Sequence, residues 1–170
     1  MISDWLTAIA TLVANCTSPN VATRVGESSA ANVIANRIVY DHYEDLVDAI
    51  HAMPYFVMRE SGMSAGRFTV QDSAFRGSVL VEYFEHASQY LDTEDLNSRH
   101  KQSRAYFVDF LGDLALCCMQ NQGRGIYTLP VSNISLVYPA ERTPMSQVDP
   151  QDAHTDFWHA GLMFEFVATD

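Results

Sequence analysis

The chain is short of positive charge. Of its 170 residues only ten are Lys or Arg against 21 Asp or Glu, a formal charge of −11. A basic patch that holds phosphates is therefore not expected, and specific DNA or RNA binding is set aside. Cysteine is scarce too. Cys16, Cys117 and Cys118 are an odd number with two adjacent members. They form no disulfide framework and read as reduced thiols of a cytosolic protein. No apolar run approaches 18 residues, so no transmembrane helix is expected. Met1-Ile2-Ser3-Asp4 lacks the basic start of a signal peptide. Without secretion, the glycosylation-type triplets at Asn15 and Asn133 carry no meaning. Internal repeats, low-complexity tracts and linkers are absent as well.

Catalytic signatures are equally thin. Gly123-Arg124-Gly125 lacks the rest of a phosphate loop, and no nucleophile elbow occurs. His154, Asp156 and His159 are the best metal candidates, but a strand would place His154 and His159 on opposite faces. Asp41-His42-Tyr43-Glu44 offers acid and base types without a convergent partner. No catalytic residue, metal ligand or cofactor is assigned.

What is present is a core. Apolar residues make up 48%, enough for one single domain over residues 1–170. Ile2, Trp5, Leu6, Ile9, Leu12, Val13 and Cys16 share a helical face, with Ser3 or Asp4 as cap and Ser18-Pro19 as stop. Gly26 to Ala31 reads as loop, Arg37 to Tyr40 as a short strand, and Glu44 to Ala52 as a weak helical turn. Tyr55 to Arg59 after Pro54 is strand-like, Ser61 to Gly66 flexible, and Arg67 to Gln71 a strand or extended arm. Ser78 to Glu85 is the strongest internal strand. Val79, Val81 and Tyr83 lie on one face, Leu80, Glu82 and Phe84 on the other. Apolar residues on both faces suggest a central strand or one covered by a neighbouring subunit.

A second helix is expected from about Arg99 to Asn121, capped by Ser98 and stopped near Gly123. Its buried stripe is Phe107, Phe110, Leu111, Leu114, Cys117 and Cys118. The basic residues Arg99, Lys101 and Arg104 crowd its positive end, against the helix dipole. Two strands follow, Ile134 to Tyr138 and the alternating His159 to Ala168, joined by a long polar loop at 141–156. Leu162, Phe164 and Phe166 are expected to face the stripes of both helices. The fold class is α+β: a mainly antiparallel sheet with two amphipathic helices on one face, in the order α-β-β-β-α-β-β.

This arrangement resembles the tail terminator (tail-completion) proteins of long-tailed bacteriophages. The resemblance covers most of the chain. It lies in the opening helix ending at Cys16, in Met53-Pro54-Tyr55-Phe56-Val57-Met58-Arg59-Glu60, and in Phe75-Arg76-Gly77-Ser78-Val79-Leu80-Val81-Glu82-Tyr83-Phe84. It continues through the long helix to the paired strands closing on Phe164-Glu165-Phe166-Val167. It implies a non-enzymatic virion protein that forms a hexameric ring at the head-proximal end of the tail tube. Such a ring stops tube polymerisation and meets the connector or stopper protein of the head. It implies assembly in the host cytoplasm, a place at the head–tail junction, and no membrane partner. Genome DNA would pass the acidic ring without specific binding. Arg67, Arg76 and Arg142, with Asp149, Asp152 and Asp156, are the residues expected at subunit or partner contacts. The longer segments at 20–52 and 141–156 depart from the compact family pattern and keep another neck role, stopper or adaptor, open. A small-ligand or metal-binding enzyme domain is the third alternative.

Overall fold

The alternating stretch near the end of the chain is indeed a strand, and it lies inside the sheet. In the computed structural model, which describes residues 2–28, 53–67, 73–87, 96–120, 131–151 and 156–169, it spans Asp156–Thr169. In chain order the elements are α1 (Ile2–Ala14), α2 (Pro19–Ser28), β1 (Tyr55–Arg67), β2 (Ser73–His86), α3 (Leu96–Gln120), β3 (Val131–Pro144) and β4 (Asp156–Thr169). A 3-10 turn at Met145–Gln147 follows β3. The four described strands form one antiparallel sheet in the order β1-β2-β4-β3. The α+β class is therefore observed.

One face of the sheet carries Phe56 and Met58, then Val79, Val81 and Tyr83, then Trp158, Ala160, Leu162, Phe164 and Phe166, all buried. The register sets these residues side by side, as in Met58↔Val81 and Val81↔Leu162. They share a single core with Leu6, Ile9 and Val13 of α1, Val21 of α2, and Phe107, Phe110 and Leu114 of α3. Tyr83 is the centre of an aromatic cluster, 4.6 Å from the rings of both Phe56 and Phe110. Trp158 stacks on Phe107 at 5.5 Å. The full expected stripe of α3, Phe107 to Cys118, is buried. Helix α1 is enclosed beyond its stripe, since Ala8 and Ala10 are buried as well.

The opposite face of β2 is buried too, through Leu80, Glu82 and Phe84. This is the central-strand outcome, with β1 and β4 hydrogen-bonded on either side. Val79 to Phe84 is consequently enclosed within the chain and is not a surface for a neighbouring subunit.

Several expected boundaries move, each for a local reason. α1 ends at Ala14, four residues short of the stop expected at Ser18-Pro19, and Pro19 instead opens α2. A proline has no N–H to leave unsatisfied at the first helical position, and Ser18 O accepts from Val21 N and Ala22 N. Residues 26–28, expected as loop, are thus helical. Ser3, Asp4 and Ser98 fall inside helices that begin at Ile2 and Leu96, so none is a cap. Ser61 to Gly66, expected as flexible, continues β1 because β2 pairs with it out to Arg67↔Ser73. A register shift between Glu60 and Gly62 absorbs the irregularity. Glu141 to Pro144, expected as loop, extends β3 opposite His159 to Asp156. Polar side chains are tolerated there because β3 is an edge with a solvated face. The expected elements at 37–40, 44–52 and 68–71 lie outside the described residues.

Candidate functional site

The residues expected at contacts do not form one cluster. Arg142 and Asp156 meet each other: Arg142 Nε lies 2.6 Å from Asp156 Oδ2, clasping the adjoining ends of β3 and β4. Both side chains are about one-third exposed, so the pair is a surface clasp that contributes roughly 0–1 kcal/mol. Arg142 is therefore engaged within its own chain. Asp149 Oδ1 accepts from Gln151 N, 2.9 Å away, and shapes the turn after the 3-10 segment. Arg67 closes β1, and Asp152 and His154 lie outside the described residues. Asp156 and His159 stand on opposite faces of β4 with separate partners.

Arg76 is exposed at one end of the sheet and makes no ion pair among the described residues. It borders an open groove of about 490 Å³, floored by Gly62, Ser64, Gly77 and Ser78 and walled by Glu165. Glu165 accepts from Asn133 Nδ2 at 3.0 Å. The groove is a shallow depression of mixed polar and apolar lining across all four described strands.

Two buried ionic groups carry more of the structure. In the first, Arg24 of α2 grips Glu85 of β2 with two nearly parallel contacts. These are Nε to Oε2 at 2.6 Å and Nη2 to Oε1 at 3.2 Å. Its Nη1 donates to Asn20 O, and the guanidinium lies 4.5 Å from the centre of the Phe110 ring. The planar fork of arginine suits this combination of a bidentate carboxylate and an aromatic face. In the second group, on the other side of the sheet, the buried Glu82 is shared by two cationic-type partners. His159 Nε2 lies 3.1 Å from Oε1 and Arg59 Nη2 lies 3.4 Å from Oε2. The imidazole is stacked on Phe84 at 4.2 Å and flanked by Tyr138 at 5.8 Å. The groove beside Arg76 is at the far end of the sheet and none of these groups lines it.

The thiols converge, which their spacing did not announce. Cys16 Sγ lies 3.8 Å from Cys118 Sγ, across 102 positions of sequence, and points at Leu12 O. All three cysteines are buried and none is in a disulfide. The contact with Cys118 and then burial push the Cys16 thiol far above its ordinary range; burial and Cys16 push Cys117 up as well. Cys16 and Cys117 are thus packed neutral thiols with little nucleophilic thiolate.

Sequence reasoning also missed the exposed run Leu136, Val137 and Tyr138 on β3. The run was legible as a strand, but its place at the edge follows only from β4 pairing between β2 and β3. Arg24–Glu85 and Glu82–His159 were missed because partners 61 and 77 positions apart leave no local signal. Compared with known proteins, the chain matches no family model and no curated protein.

Proposed function

We propose that this protein is a structural, ring-forming virion component of the tail terminator type. In that reading it caps the head-proximal end of a phage tail tube and presents a surface to the head's connector. The observation that carries an assembly role is β3, an edge among the described strands, with Leu136 54% exposed beside the exposed Val137 and Tyr138. An uncovered apolar edge is a liability for a lone subunit, and a neighbouring subunit removes it. Three register irregularities along β3 and the proline at 139 limit indiscriminate strand addition there and favour a shaped contact.

A ring needs two different surfaces that meet head to tail and close. The two edges β1 and β3 differ in sequence and exposure, as such a contact requires. The terminator assignment itself rests on the family resemblance in element order. The strong acidity supports a channel past which DNA slides with little adhesion. Arg76 is available to meet an acidic patch on a neighbour or on the tube protein, a role Arg142 fills less well because Asp156 holds it. No enzymatic activity and no cofactor belong to this reading. Imaging of the particle with the labelled chain tests it. Six copies at the head–tail junction are expected. A helically repeated position along the tube, or a position away from the junction, overturns it.

A further inference from the structure

The link between α1 and α2 is fastened along one side of α3. Asp113 Oδ2 accepts from Ser18 Oγ at 3.0 Å and from Asn20 Nδ2 at 2.9 Å. One turn further along α3, the Cys117 thiol accepts from the backbone N–H groups of Thr17 and Ser18. Beside it, Cys118 Sγ lies 3.8 Å from Cys16 Sγ. The docking of a whole segment, and not one side-chain rotamer, therefore brings these two sulfurs together. Cys118 is held inside the regular helix α3. Cys16 lies past the end of α1, in a tightened turn where its N–H donates to Val13 O at 3.2 Å. A disulfide bond is about 2.05 Å long, so a small shift of Cys16 closes the gap. Cys117 and Cys118 are neighbours on one helix and point about 100° apart, which excludes them as the pair.

We infer that Cys16 and Cys118 are a redox-controlled staple, an internal disulfide that locks the α1–α2 corner onto α3 in oxidising surroundings. The oxidant is a small-molecule disulfide of the glutathione type. Both sulfurs are buried and Cys16 is kept neutral in the closed fold, so reaction starts when the corner opens. Cys16 then gives its proton to solvent and attacks one sulfur of glutathione disulfide. The S–S bond breaks, and the expelled glutathione thiolate takes up a proton. On reclosing, Cys118 attacks the Cys16 sulfur of the mixed disulfide, and the second glutathione leaves with the Cys118 proton. In sum, two protein thiols lose two electrons and two protons, and glutathione disulfide gains both to become two thiols. A reducing glutathione pool keeps the staple open, and a less reducing medium closes it. The sulfurs are 102 positions apart in sequence, so folding supplies their proximity. By linkage, the factor by which folding favours the bond is the factor by which the bond favours folding. The staple leaves the strand edges of the ring reading untouched and does not depend on that reading.

Equilibration of the purified full chain with mixtures of reduced and oxidised glutathione tests the inference, in buffer and in concentrated urea. Each buffer end point is approached from the folded and from the urea-unfolded chain, so slow opening is not mistaken for failure. After acid quenching, mass spectrometry counts the remaining thiols. The folded wild type is expected to lose two of its three thiols without retaining glutathione. It should do so against at least about tenfold more reducing glutathione than the chain in urea tolerates. Cys117→Ser is expected to keep this behaviour, and Cys16→Ser and Cys118→Ser are each expected to lose it. The urea midpoint of the oxidised wild type should rise by about 1 M and return with dithiothreitol. Three thiols retained in the folded chain overturn the inference. So do a glutathione adduct in place of the internal bond, a bond that survives Cys118→Ser, and equal tolerance of reduced glutathione in buffer and in urea.

Discussion

Arg24 is one of ten basic residues in the chain and is spent on the interior, where α2 meets β2. Removing one member of a buried pair leaves the other charge uncompensated, at a cost of about 3–5 kcal/mol. Arg24→Met and Glu85→Met are each expected to lower the unfolding free energy from urea titration by that order. The double replacement Arg24→Met with Glu85→Met is expected to recover much of the loss, because both desolvation costs vanish together. If the double variant is as unstable as the sum of the singles, the pair is not acting as a unit. The thiols make the stability depend on pH. Cys16 and Cys117 stay protonated in the folded chain well above the pH at which unfolded thiols ionise. Their contribution is fully present below about pH 8.5 and is lost as pH rises, because the unfolded state releases protons that the folded state keeps. Denaturation midpoints at pH 8 and pH 10 should therefore differ more for the wild type than for Cys16→Ala. An equal difference would show that the thiol cluster does not govern alkaline stability.

At the scale of elements, packing between strands fixes which substitutions are tolerated. Phe164 is fully buried in β4, and Phe164→Ala is expected to cost about 3–5 kcal/mol in chemical denaturation. Gly77 of β2 sits under the Phe166 ring, and an added Cβ would come within 2.4 Å of its Cζ. Gly161 of β4 sits likewise under Tyr138, at 2.4 Å from Cδ2. Gly77→Ala is expected to be the worse of the two, at roughly 1–3 kcal/mol, because Phe166 is locked in the core while Tyr138 is partly exposed and free to yield. Equal losses would mean that the Tyr138 lid is as rigid as the core. These elements were unevenly legible from sequence. The stripe of α3 and the alternation of Leu162, Phe164 and Phe166 were readable because burial repeats at the local period. The reach of β1 through Gly62 and of β3 through Pro144 was not, because those residues are held by partners on other strands. The candidate contact residues fared alike, since the Arg142–Asp156 clasp exists only after β3 and β4 pair.

For the whole molecule, the edge strand β3 is where an isolated subunit and an assembled one would differ most. Leu136→Glu places a charge on a half-exposed position and should leave the urea midpoint within about 0.5 kcal/mol of the wild type. In the proposed role it should nevertheless abolish ring closure, giving particles whose tails vary in length or lack heads. Electron micrographs of particles made with the variant decide this, and normal tails joined to heads would remove β3 from the subunit contact.

The position of β4 carries a different consequence, for biosynthesis. It is the last strand in chain order, yet it is inserted between β2 and β3 and supplies Trp158, Leu162, Phe164 and Phe166 to the core. Until it leaves the ribosome, the antiparallel pair β1–β2 keeps the β2 edge that β4 will cover open, with an unfinished apolar face. Residues 158–166 then have to find partners on β2 laid down some eighty positions earlier. Such long-range pairing is slow compared with helix formation. The nascent chain is therefore most prone to aggregate in the interval after β2 has been made and before β4 has joined it.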